Sequence, residues 1–489
     1  MIDLTDEDGP SKRADANIVI FGASGDLTRR KLVPALHSLA CEGLLSPDTQ
    51  VLGVARSSIS DEEFRERLYS GVEEYSRHNP GICQLWDNFA PRHSYLQGGY
   101  DESQTYDKLE DRLRSFPTEN VLFYLATPPT VVPSVVRNLR KQGLNVSESG
   151  FRRIVLEKPF GKDLDSACRL NDILHRAFEE DQIYRIDHYL GKETVQNIMT
   201  FRFANGIFEP LWNRDYIDHV QITMSEQIGV GNRARYYEGA GVFRDIFQNH
   251  LLQLLANVGM EPPYAFNQKA LRDEKAKVLR GLRELELENC VRGQYRGYRE
   301  EEGVAPDSTT ATFGALKLFI DNWRWQGVPF YLRSGKNLAR KSTEITLVFK
   351  ATPHRLFPNN ADLTSNRLSL CIQPDEGVRM LFETKVPKAG MRTTPVNMDF
   401  NYGDKFGPDA LPDAYERLLL DAIEGDIALF ARQDEIELAW EFLDPLLEEL
   451  EKGREPQIYE PDSWGPEGAK RLIQEDGREW ICACGDNPC

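Results

Sequence analysis

The segment Asn17-Ile-Val-Ile-Phe21, followed at once by Gly22-Ala-Ser-Gly25-Asp-Leu27, decides the fold of the first part of the chain. Four of the first five residues are apolar and three of these are β-branched, which is typical of a buried strand, and leucines at helical spacing come after the glycines. A glycine turn between a strand and a helix lets the backbone approach a pyrophosphate, which the helix N-terminus attracts. The alternative is an ordinary turn from strand to helix. We predict a dinucleotide site that includes Gly22, Ala23, Ser24, Gly25, Asp26 and Leu27.

Strand and helix patterns alternate from this turn to about residue 186. Ser60-Asp-Glu-Glu63 has the spacing of a capping box and predicts the start of a helix. No hairpin pattern interrupts the alternation, so right-handed crossovers should produce a parallel sheet with helices on both faces. We therefore predict an α/β domain over residues 14–186, a Rossmann-like doubly wound parallel sheet that binds a dinucleotide.

The regular alternation of strand and helix patterns ends in the second part of the chain. After one long helix pattern, apolar runs such as TFGALKLFI and TEITLVF follow one another without long helices between them. Short turns between such runs are typical of hairpins and antiparallel pairing. We predict an α+β domain over residues 187–489, with a large antiparallel sheet and helices.

Composition excludes several classes of protein. The 489 residues are 40% hydrophobic and 28% charged, with a formal net charge of −18, which excludes a disordered chain or a coiled coil. The negative charge argues against nucleic acid and anionic membranes as partners, and no apolar run is long enough to span a bilayer. The first 17 residues are acidic without an apolar stretch. We therefore expect no secretory leader and a cytoplasmic location.

The eight cysteines are expected to be mainly buried, reduced thiols, since most of them are scattered among apolar residues. Cys482, Cys484 and Cys489 are the exception, and we expect a frayed tail with oxidisable thiols there. A zinc site in this tail is the weaker alternative, because a fourth ligand is missing nearby. The histidines form no His-x-His or His-x-x-x-His pair, so we predict no metal site.

The end of the second predicted strand indicates which dinucleotide binds. NAD sites carry an acidic residue there for the ribose hydroxyl, whereas NADP sites carry an arginine for the 2′-phosphate. This strand ends Ala55-Arg56-Ser57-Ser58, with no carboxylate before Asp61. The pattern favours NADP held by Arg56, and the alternative is that Arg56 is a solvated loop residue.

Two polar segments could bind an anionic substrate. If a helix starts near Asp187, His188 and Lys192 share one face and could bind one anion, such as a phosphate. The alternative is a charged helix start capped by Asp187. Lys336 and Lys341 form a basic patch in an acidic protein, which suggests an anion, although lysines on a solvated loop are common.

His250 lies within the apolar stripe of a helix pattern over Ala240–Gly259. A core histidine is the simpler interpretation, but Asp245 and Asn249 lie four residues apart on an adjacent face and could bind sugar hydroxyls. Lys158 follows a strand, where it could reach both nicotinamide and substrate or could simply end the strand. The Lys158–Pro159 bond has the setting of a cis peptide.

These segments, in order from about residue 16 to Trp480, resemble glucose-6-phosphate dehydrogenases. The nine-residue run Arg185-Ile-Asp-His-Tyr-Leu-Gly-Lys-Glu193 is the most specific of them. The others are Gly22–Lys31, Tyr124–Pro129, Glu157–Gly161, Arg244–His250 and the Gly-Lys segment at 335–341.

The resemblance implies oxidation of glucose 6-phosphate at C1 to 6-phosphoglucono-1,5-lactone, the first step of the oxidative pentose phosphate pathway, with hydride transfer to NADP. His250 matches the general base and Asp187 the carboxylate that pairs with it. The residues that match sugar or phosphate ligands are Lys158, His188, Tyr189, Lys192, Glu226, Asp245, Lys336 and Lys341. Lys31, Arg56, Tyr124 and Lys158 match residues at the cofactor. The resemblance also implies a homodimer, or a dimer of dimers, formed through the antiparallel sheet.

One departure concerns the cofactor. Thr28 occupies a position where the family usually has alanine, which weakens the preference for NADP over NAD and leaves NAD as a weaker alternative. The second, structural NADP of animal members has no matching site, so we predict one cofactor per subunit. Two other functions stay open, an oxidoreductase of the glucose–fructose oxidoreductase type and a non-catalytic NADP-binding regulator.

Overall fold

The computed structural model describes residues 14–354, 356, 363–407, 410–452 and 455–484. These residues form two compact units. The first contains residues 14–161, 165–192 and 412–433, and the second contains residues 162–164, 193–411 and 434–484. The first unit therefore receives a segment from late in the chain.

The first unit is built on a parallel sheet of six strands within the described residues. Their order is β3-β2-β1-β4-β5-β6, which reverses direction between β1 and β4. The strands are β1 Asn17–Phe21, β2 Val51–Ala55, β3 His93–Gln97, β4 Val121–Leu125, β5 Arg152–Leu156 and β6 Ile183–Arg185. Strands β1, β2 and β4 are buried along their whole length, as strands covered on both faces are.

Helices connect these strands, so the predicted α/β fold is confirmed. Ser60 accepts a hydrogen bond from the backbone N–H of Glu63 at 3.1 Å and begins a helix as predicted. The helices of this unit are Val33–Cys41, Asp61–Tyr75, Trp86–Phe89, Ser103–Arg114, Val132–Lys141, Leu164–His175 and Ala414–Glu424.

The second unit contains a nine-stranded sheet within the described residues, in the order β14-β13-β12-β11-β7-β10-β9-β8-β15. Most neighbours are antiparallel as predicted, but β7 with β10 and β8 with β15 are parallel pairs. The strands are β7 Ile217–Ser225, β8 Cys290–Tyr295, β9 Phe313–Leu318, β10 Phe330–Gly335, β11 Ser342–Phe349, β12 Arg367–Gln373, β13 Gly377–Lys385, β14 Thr393–Asn401 and β15 Gln457–Tyr459.

Strands β7, β10 and β11 at the centre of this sheet are almost entirely buried, and the second unit also contains helices. These helices are Glu193–Phe203, Ala234–Val242, Leu252–Gly259, Gln268–Arg280, Tyr402–Phe406, Gln433–Glu451 and Glu467–Gln474. None of the described helices combines the length and the apolar character that crossing a bilayer requires.

The helix predicted over Ala240–Gly259 is interrupted. Gly241 has a φ of 60°, and Phe243–Leu251 form a π-helix that continues into the α-helix Leu252–Gly259. π-helical turns occur frequently at functional sites, because they change which side chains share a face. His250 lies in this π-helical segment.

The prediction of reduced thiols is wrong for two cysteine pairs. Cys41 forms a disulfide with Cys83, and Cys371 forms one with Cys484. Folding brings each pair together across 42 and 113 residues, a proximity that spacing along the sequence does not reveal. The described part of the tail is not frayed, since Cys484 is 1% exposed and Cys482 is also in a disulfide. Cys489 lies outside the described residues.

Candidate active site

The turn after β1 comes so close to the end of β4 that only glycine fits. Gly22 has a φ of 90°, and a Cβ built on it would lie 2.2 Å from the carbonyl oxygen of Ala126. The turn is closed by a hydrogen bond from the N–H of Gly25 to the carbonyl of Gly22 at 2.9 Å. This place, beyond the carboxyl ends of β1 and β4 where the strand order reverses, is where open parallel sheets bind ligands.

Arg56 is exposed directly beyond β2, next to this turn. Burial raises the pKa of Tyr100, and the charge of Arg56 and a hydrogen bond with the main chain of Gly22 oppose the rise. Ser57 donates a hydrogen bond to Ser24 Oγ at 3.2 Å. An exposed guanidinium and two hydroxyls therefore lie beside the glycine turn, and such groups suit a phosphate.

Lys31 and Asp413 form an ion pair at 2.7 Å, although 382 residues separate them in the sequence. Asp413 also caps the helix Ala414–Glu424 by accepting the backbone N–H of Tyr415. The predicted cofactor residue Lys31 is thus held by the late segment of the first unit. Asp26 pairs instead with Arg30 at 2.9 Å on an exposed surface.

A buried carboxyl group lies beyond β5. Glu157 accepts hydrogen bonds from the hydroxyls of Tyr124 at 2.5 Å and Tyr415 at 3.1 Å. Burial raises the pKa of Glu157, while the two hydroxyls and Lys158 oppose the rise. The hydroxyl of Tyr124, which we predicted at the cofactor, therefore donates to Glu157. The Lys158–Pro159 peptide that follows is cis, as its setting suggested.

The segment from Asp187 to Lys192 is a turn, and the helix begins only at Glu193. The expected helical face of His188 and Lys192 is therefore wrong. Asp187 is 2% exposed and accepts the N–H of Tyr189 at 3.0 Å, which stabilises the turn. The His188 ring lies 4.9 Å from the Tyr189 ring, and Lys192 Nζ lies 5.5 Å from the same ring. The turn thus gathers an imidazole, a phenol and an ammonium group around Tyr189.

In the second unit, Glu226 and Lys336 form an ion pair. Glu226 directly follows β7 and Lys336 directly follows β10, and these two strands are parallel neighbours. The side chains therefore meet at one edge of the sheet. Lys336 is 9% exposed, and its Nζ lies 5.6 Å from the centre of the Tyr237 ring.

Asp245 and two tyrosine hydroxyls are further polar groups of the second unit. The Asp245 carboxylate accepts a hydrogen bond from Tyr236 at 3.4 Å, and burial together with this carboxylate raises the pKa of Tyr236 to about 12. Burial, with Asp245 as a lesser cause, also raises the pKa of Tyr237 well above its usual value. Among the described residues, the buried Tyr237 hydroxyl has no hydrogen-bond partner. A polyol substrate would supply one.

His250 is 1% exposed, and it follows Asp245 by five residues in the π-helical segment. The side chain of Asn249 accepts the backbone N–H of His250 at 2.9 Å, so Asn249 stabilises the helix locally. Lys341, in contrast to Lys336, is exposed just before β11. Sequence spacing placed these two lysines in one patch, and the structure gives them different surroundings.

Three residues near these groups escaped the sequence analysis. Asp413 and Tyr415 contact Lys31 and Glu157 from more than 250 residues away, and Tyr237 lies under Lys336. The Asp-Ala-Tyr spacing signals a helix cap, but no local pattern links it to the dinucleotide domain. Only the fold reveals these contacts.

Comparison with known proteins gives the same result along the whole chain. Residues 19–197 match the family model "Glucose-6-phosphate dehydrogenase, NAD binding domain", and residues 199–481 match "Glucose-6-phosphate dehydrogenase, C-terminal domain". The glucose-6-phosphate 1-dehydrogenase of Aggregatibacter actinomycetemcomitans is 48% identical, with 96% of this chain and 98% of the relative covered. Glucose-6-phosphate 1-dehydrogenase 2 of Mycobacterium tuberculosis is 45% identical, with 98% and 96% covered.

Solved structures show the same similarity. A glucose-6-phosphate dehydrogenase in complex with its substrate glucose 6-phosphate superimposes with a TM-score of 0.90 at 35% identity, covering 97% of this chain and all of the other. The glucose-6-phosphate 1-dehydrogenase of Mycobacterium avium gives a TM-score of 0.83 at 39% identity, covering 96% and 99%. With both domain models matched in order and close relatives along its full length, this chain belongs to the glucose-6-phosphate dehydrogenase family.

Proposed function

We propose that the chain oxidises glucose 6-phosphate at C1 to 6-phosphoglucono-1,5-lactone and that NADP is its preferred oxidant. The observation that carries the proposal is the match of both family domains over residues 19–481, which includes the motif around Asp187 and the helix with His250. A regulator that had lost catalysis would have no need to keep these two residues. A glucose–fructose oxidoreductase would lack the run Arg185–Glu193.

The turn at Gly22 fits a dinucleotide. Gly22 lets the turn pack against the carbonyl of Ala126, and a helical segment begins directly after Gly25, so a pyrophosphate can approach the N-terminus of this segment. Arg56, Ser57 and Ser24 would hold the 2′-phosphate, and Lys31 and Lys158 would lie towards the nicotinamide. When bound, the nicotinamide ring accepts a hydride from a carbon atom.

His250 acts as the general base. Its imidazole accepts the proton of the C1 hydroxyl while the C1 hydride departs, so that the C1–O bond becomes a carbonyl. Asp187 orients this imidazole and stabilises its protonated form, as the aspartate of a Ser-His-Asp triad does for its histidine. The buried Asp245 and the Glu226–Lys336 pair bind sugar hydroxyls, with Tyr237 as a further donor.

His188, Tyr189 and Lys192 bind the phosphate of the substrate. The turn that gathers them leaves an ammonium and an imidazole beside one aromatic ring, and charged donors bind phosphate about twice as strongly as neutral donors. Lys341 contributes a further positive charge from the loop before β11. These roles follow the family resemblance and the local geometry.

One assay separates the three functions. Purified protein is mixed with NADP and either glucose 6-phosphate or glucose, and nicotinamide reduction is followed by absorbance. We expect rapid reduction of NADP with glucose 6-phosphate but not with glucose. Equal or higher activity on glucose would support the oxidoreductase alternative, and tight NADP binding without turnover would support the regulator.

Lys192→Ala tests the phosphate site. Removal of one charged donor costs about 1.5–3 kcal/mol, so KM for glucose 6-phosphate should rise by about 10–100-fold. The weak reaction with unphosphorylated glucose should change little, because glucose has no phosphate to bind. Lys470→Ala, at an exposed position, is the matched control. An equal loss with both sugars would contradict this role of Lys192.

We propose that the chain forms a homodimer, or a dimer of dimers, through the sheet of the second unit. β14 is an edge strand of this sheet, and its exposed Met398 and Phe400, together with Phe406 of the helix that follows, form an apolar patch that we call the β14 patch. Met398 is 63% exposed and Phe406 is 56% exposed. A large exposed apolar patch on a sheet edge is typical of an interface between subunits.

Met398→Arg should dissociate this assembly, because it places an unpaired charge in the apolar patch. Light scattering should give a mass near the 55.9 kDa of one chain, where the unmodified protein gives a multiple of it. Ile228→Arg, at a position 81% exposed in another part of the unit, should leave the mass unchanged. A monomeric unmodified protein, or an unchanged mass for Met398→Arg, would refute this interface.

A cytoplasmic location is also part of the proposal. It rests on the acidic composition and on the chemistry, which consumes a phosphorylated sugar. Cell fractionation tests this location. Since disulfides are uncommon in the cytosol outside hyperthermophiles, thiols are trapped during the fractionation to record whether the cysteines are reduced. Recovery of the protein with the periplasmic or membrane fraction would refute it.

A further inference from the structure

Three potential metal ligands lie together in the first unit, outside the groups discussed so far. They are His37, Cys41 and Cys83, and one ligand atom from each lies within 4.8 Å of the other two. His37 and Cys41 are four residues apart on the helix Val33–Cys41, so they share one face. Cys83 approaches from the loop before the helix Trp86–Phe89. In the structure its sulfur is bonded to that of Cys41.

The spacing of these atoms is close to that of a tetrahedral metal site. With zinc–sulfur bonds of about 2.3 Å, two thiolates on one zinc ion lie about 3.8 Å apart, and an imidazole nitrogen lies slightly closer. Both ring nitrogens of His37 lie 3.8 Å from Cys41 Sγ. After reduction the two sulfurs are no longer bonded to each other and can adopt the spacing that a metal ion requires.

The His37 ring is held in place as the rings of metal-binding histidines are. It is fully buried, and Nδ1 lies 3.4 Å from Ser76 Oγ. The rings of Trp86 and Phe89 lie about 6 Å away and restrict its rotation. Hydrogen bonds of this kind fix the tautomer and the orientation of a ligand histidine.

From this geometry we propose that His37, Cys41 and Cys83 form a binding site for a soft divalent cation such as Zn²⁺ once the Cys41–Cys83 disulfide is reduced. A dithiol reductant supplies two electrons and two protons to the disulfide and becomes a disulfide itself. Zn²⁺ then binds the two sulfurs, and the two thiol protons pass to solvent. Water completes the coordination. Both cysteines are partly exposed, so reductant and metal can reach them.

The site lies in an element that the sequence analysis did not connect with metal. The cluster combines one histidine with two cysteines that lie 42 residues apart in the sequence, a spacing that does not indicate a metal site. It involves none of the residues that we assign to substrate or cofactor. Its test therefore does not depend on the proposed activity.

Cobalt binding to the full-length chain tests the proposal, because tetrahedral Co²⁺–thiolate sites absorb strongly in the near-ultraviolet and visible. The chain is reduced, freed of reductant without oxygen and titrated with Co²⁺, and zinc is then added to displace it. Before reduction we expect no cobalt–thiolate absorption. After reduction we expect absorption that corresponds to one tetrahedral cobalt site, formed by His37, Cys41 and Cys83. Cys41→Ser and Cys83→Ser should each remove that site, and His37→Asn should weaken cobalt binding at least 10-fold.

Cys371→Ser is the matched control, since it removes a cysteine of the other disulfide. This variant should keep the site at His37. Because Cys371 lies beside Cys484, only this variant should alter the absorption of any cobalt bound near Cys484. Circular dichroism verifies that each variant is folded, and Cys83→Ser provides the test if Cys41→Ser does not fold. A reduced chain that binds no cobalt would overturn the proposal. So would binding that Cys41→Ser, Cys83→Ser and His37→Asn leave unchanged.

Discussion

His250→Asn lowers kcat by about 10²–10⁴-fold while KM for glucose 6-phosphate changes only slightly. This range is the usual contribution of a positioned general base. Asparagine keeps the size and polarity of the buried side chain but cannot accept the C1 proton. Steady-state kinetics at saturating NADP give both constants. A variant with kcat within threefold of the unmodified enzyme would refute the assignment of His250 as the base.

A second buried histidine provides the control for this prediction. His219 is 4% exposed, and its ring pairs with Asp218 at 2.7 Å, so it also combines an imidazole with a carboxylate in the second unit. Burial lowers the pKa of His219, and Asp218 opposes this shift. His219→Asn should leave kcat nearly unchanged. Equal losses in both variants would point to general destabilisation instead of catalysis.

Arg56→Ala raises KM for NADP by about 10–100-fold and leaves KM for NAD nearly unchanged. The size follows from the loss of a charged hydrogen bond to the 2′-phosphate, a group that NAD lacks. The ratio of kcat/KM for the two cofactors should therefore shift towards NAD by the same factor. Titration of both cofactors at saturating glucose 6-phosphate measures this ratio.

Arg112→Ala is the control, because this arginine is exposed on the helix Ser103–Arg114. It should leave the cofactor ratio unchanged, which excludes a general effect of lost positive charge. If Arg56→Ala weakens NADP and NAD equally, the 2′-phosphate is bound elsewhere. Thr28 is the departure from the family pattern that bears on the same preference, and it is fully buried behind the glycine turn.

Much of the first unit was predictable, because local signals and global topology agree there. The β-branched run at Asn17–Phe21, the glycine turn and the cap at Ser60 each have a physical cause that acts within a few residues. Alternation of strands and helices then limits the possible topologies. The boundary between the dinucleotide-binding domain and the substrate-binding domain, which we placed between residues 186 and 187, stays a prediction.

Other features depend on contacts that sequence spacing does not encode. The motif at Asp187 suggested a helix, but it folds as a turn in which Gly191 lies against the carbonyl of Ala414, where a Cβ would come within 2.7 Å. Tyr415 reaches Glu157 across 258 residues, and both disulfides join distant segments. Family resemblance identified the candidate residues, whereas the fold explains what holds many of them in place.

The pH dependence of kcat for the unmodified enzyme and for His250→Asn tests the central claim most directly. At saturating substrates, kcat reports ionisations in the substrate complex and is independent of the ionisation of the free sugar phosphate. We predict that kcat of the unmodified enzyme falls as the pH is lowered and the base becomes protonated. The same acid limb should be absent from His250→Asn. An identical acid limb in both enzymes would contradict proton abstraction by His250.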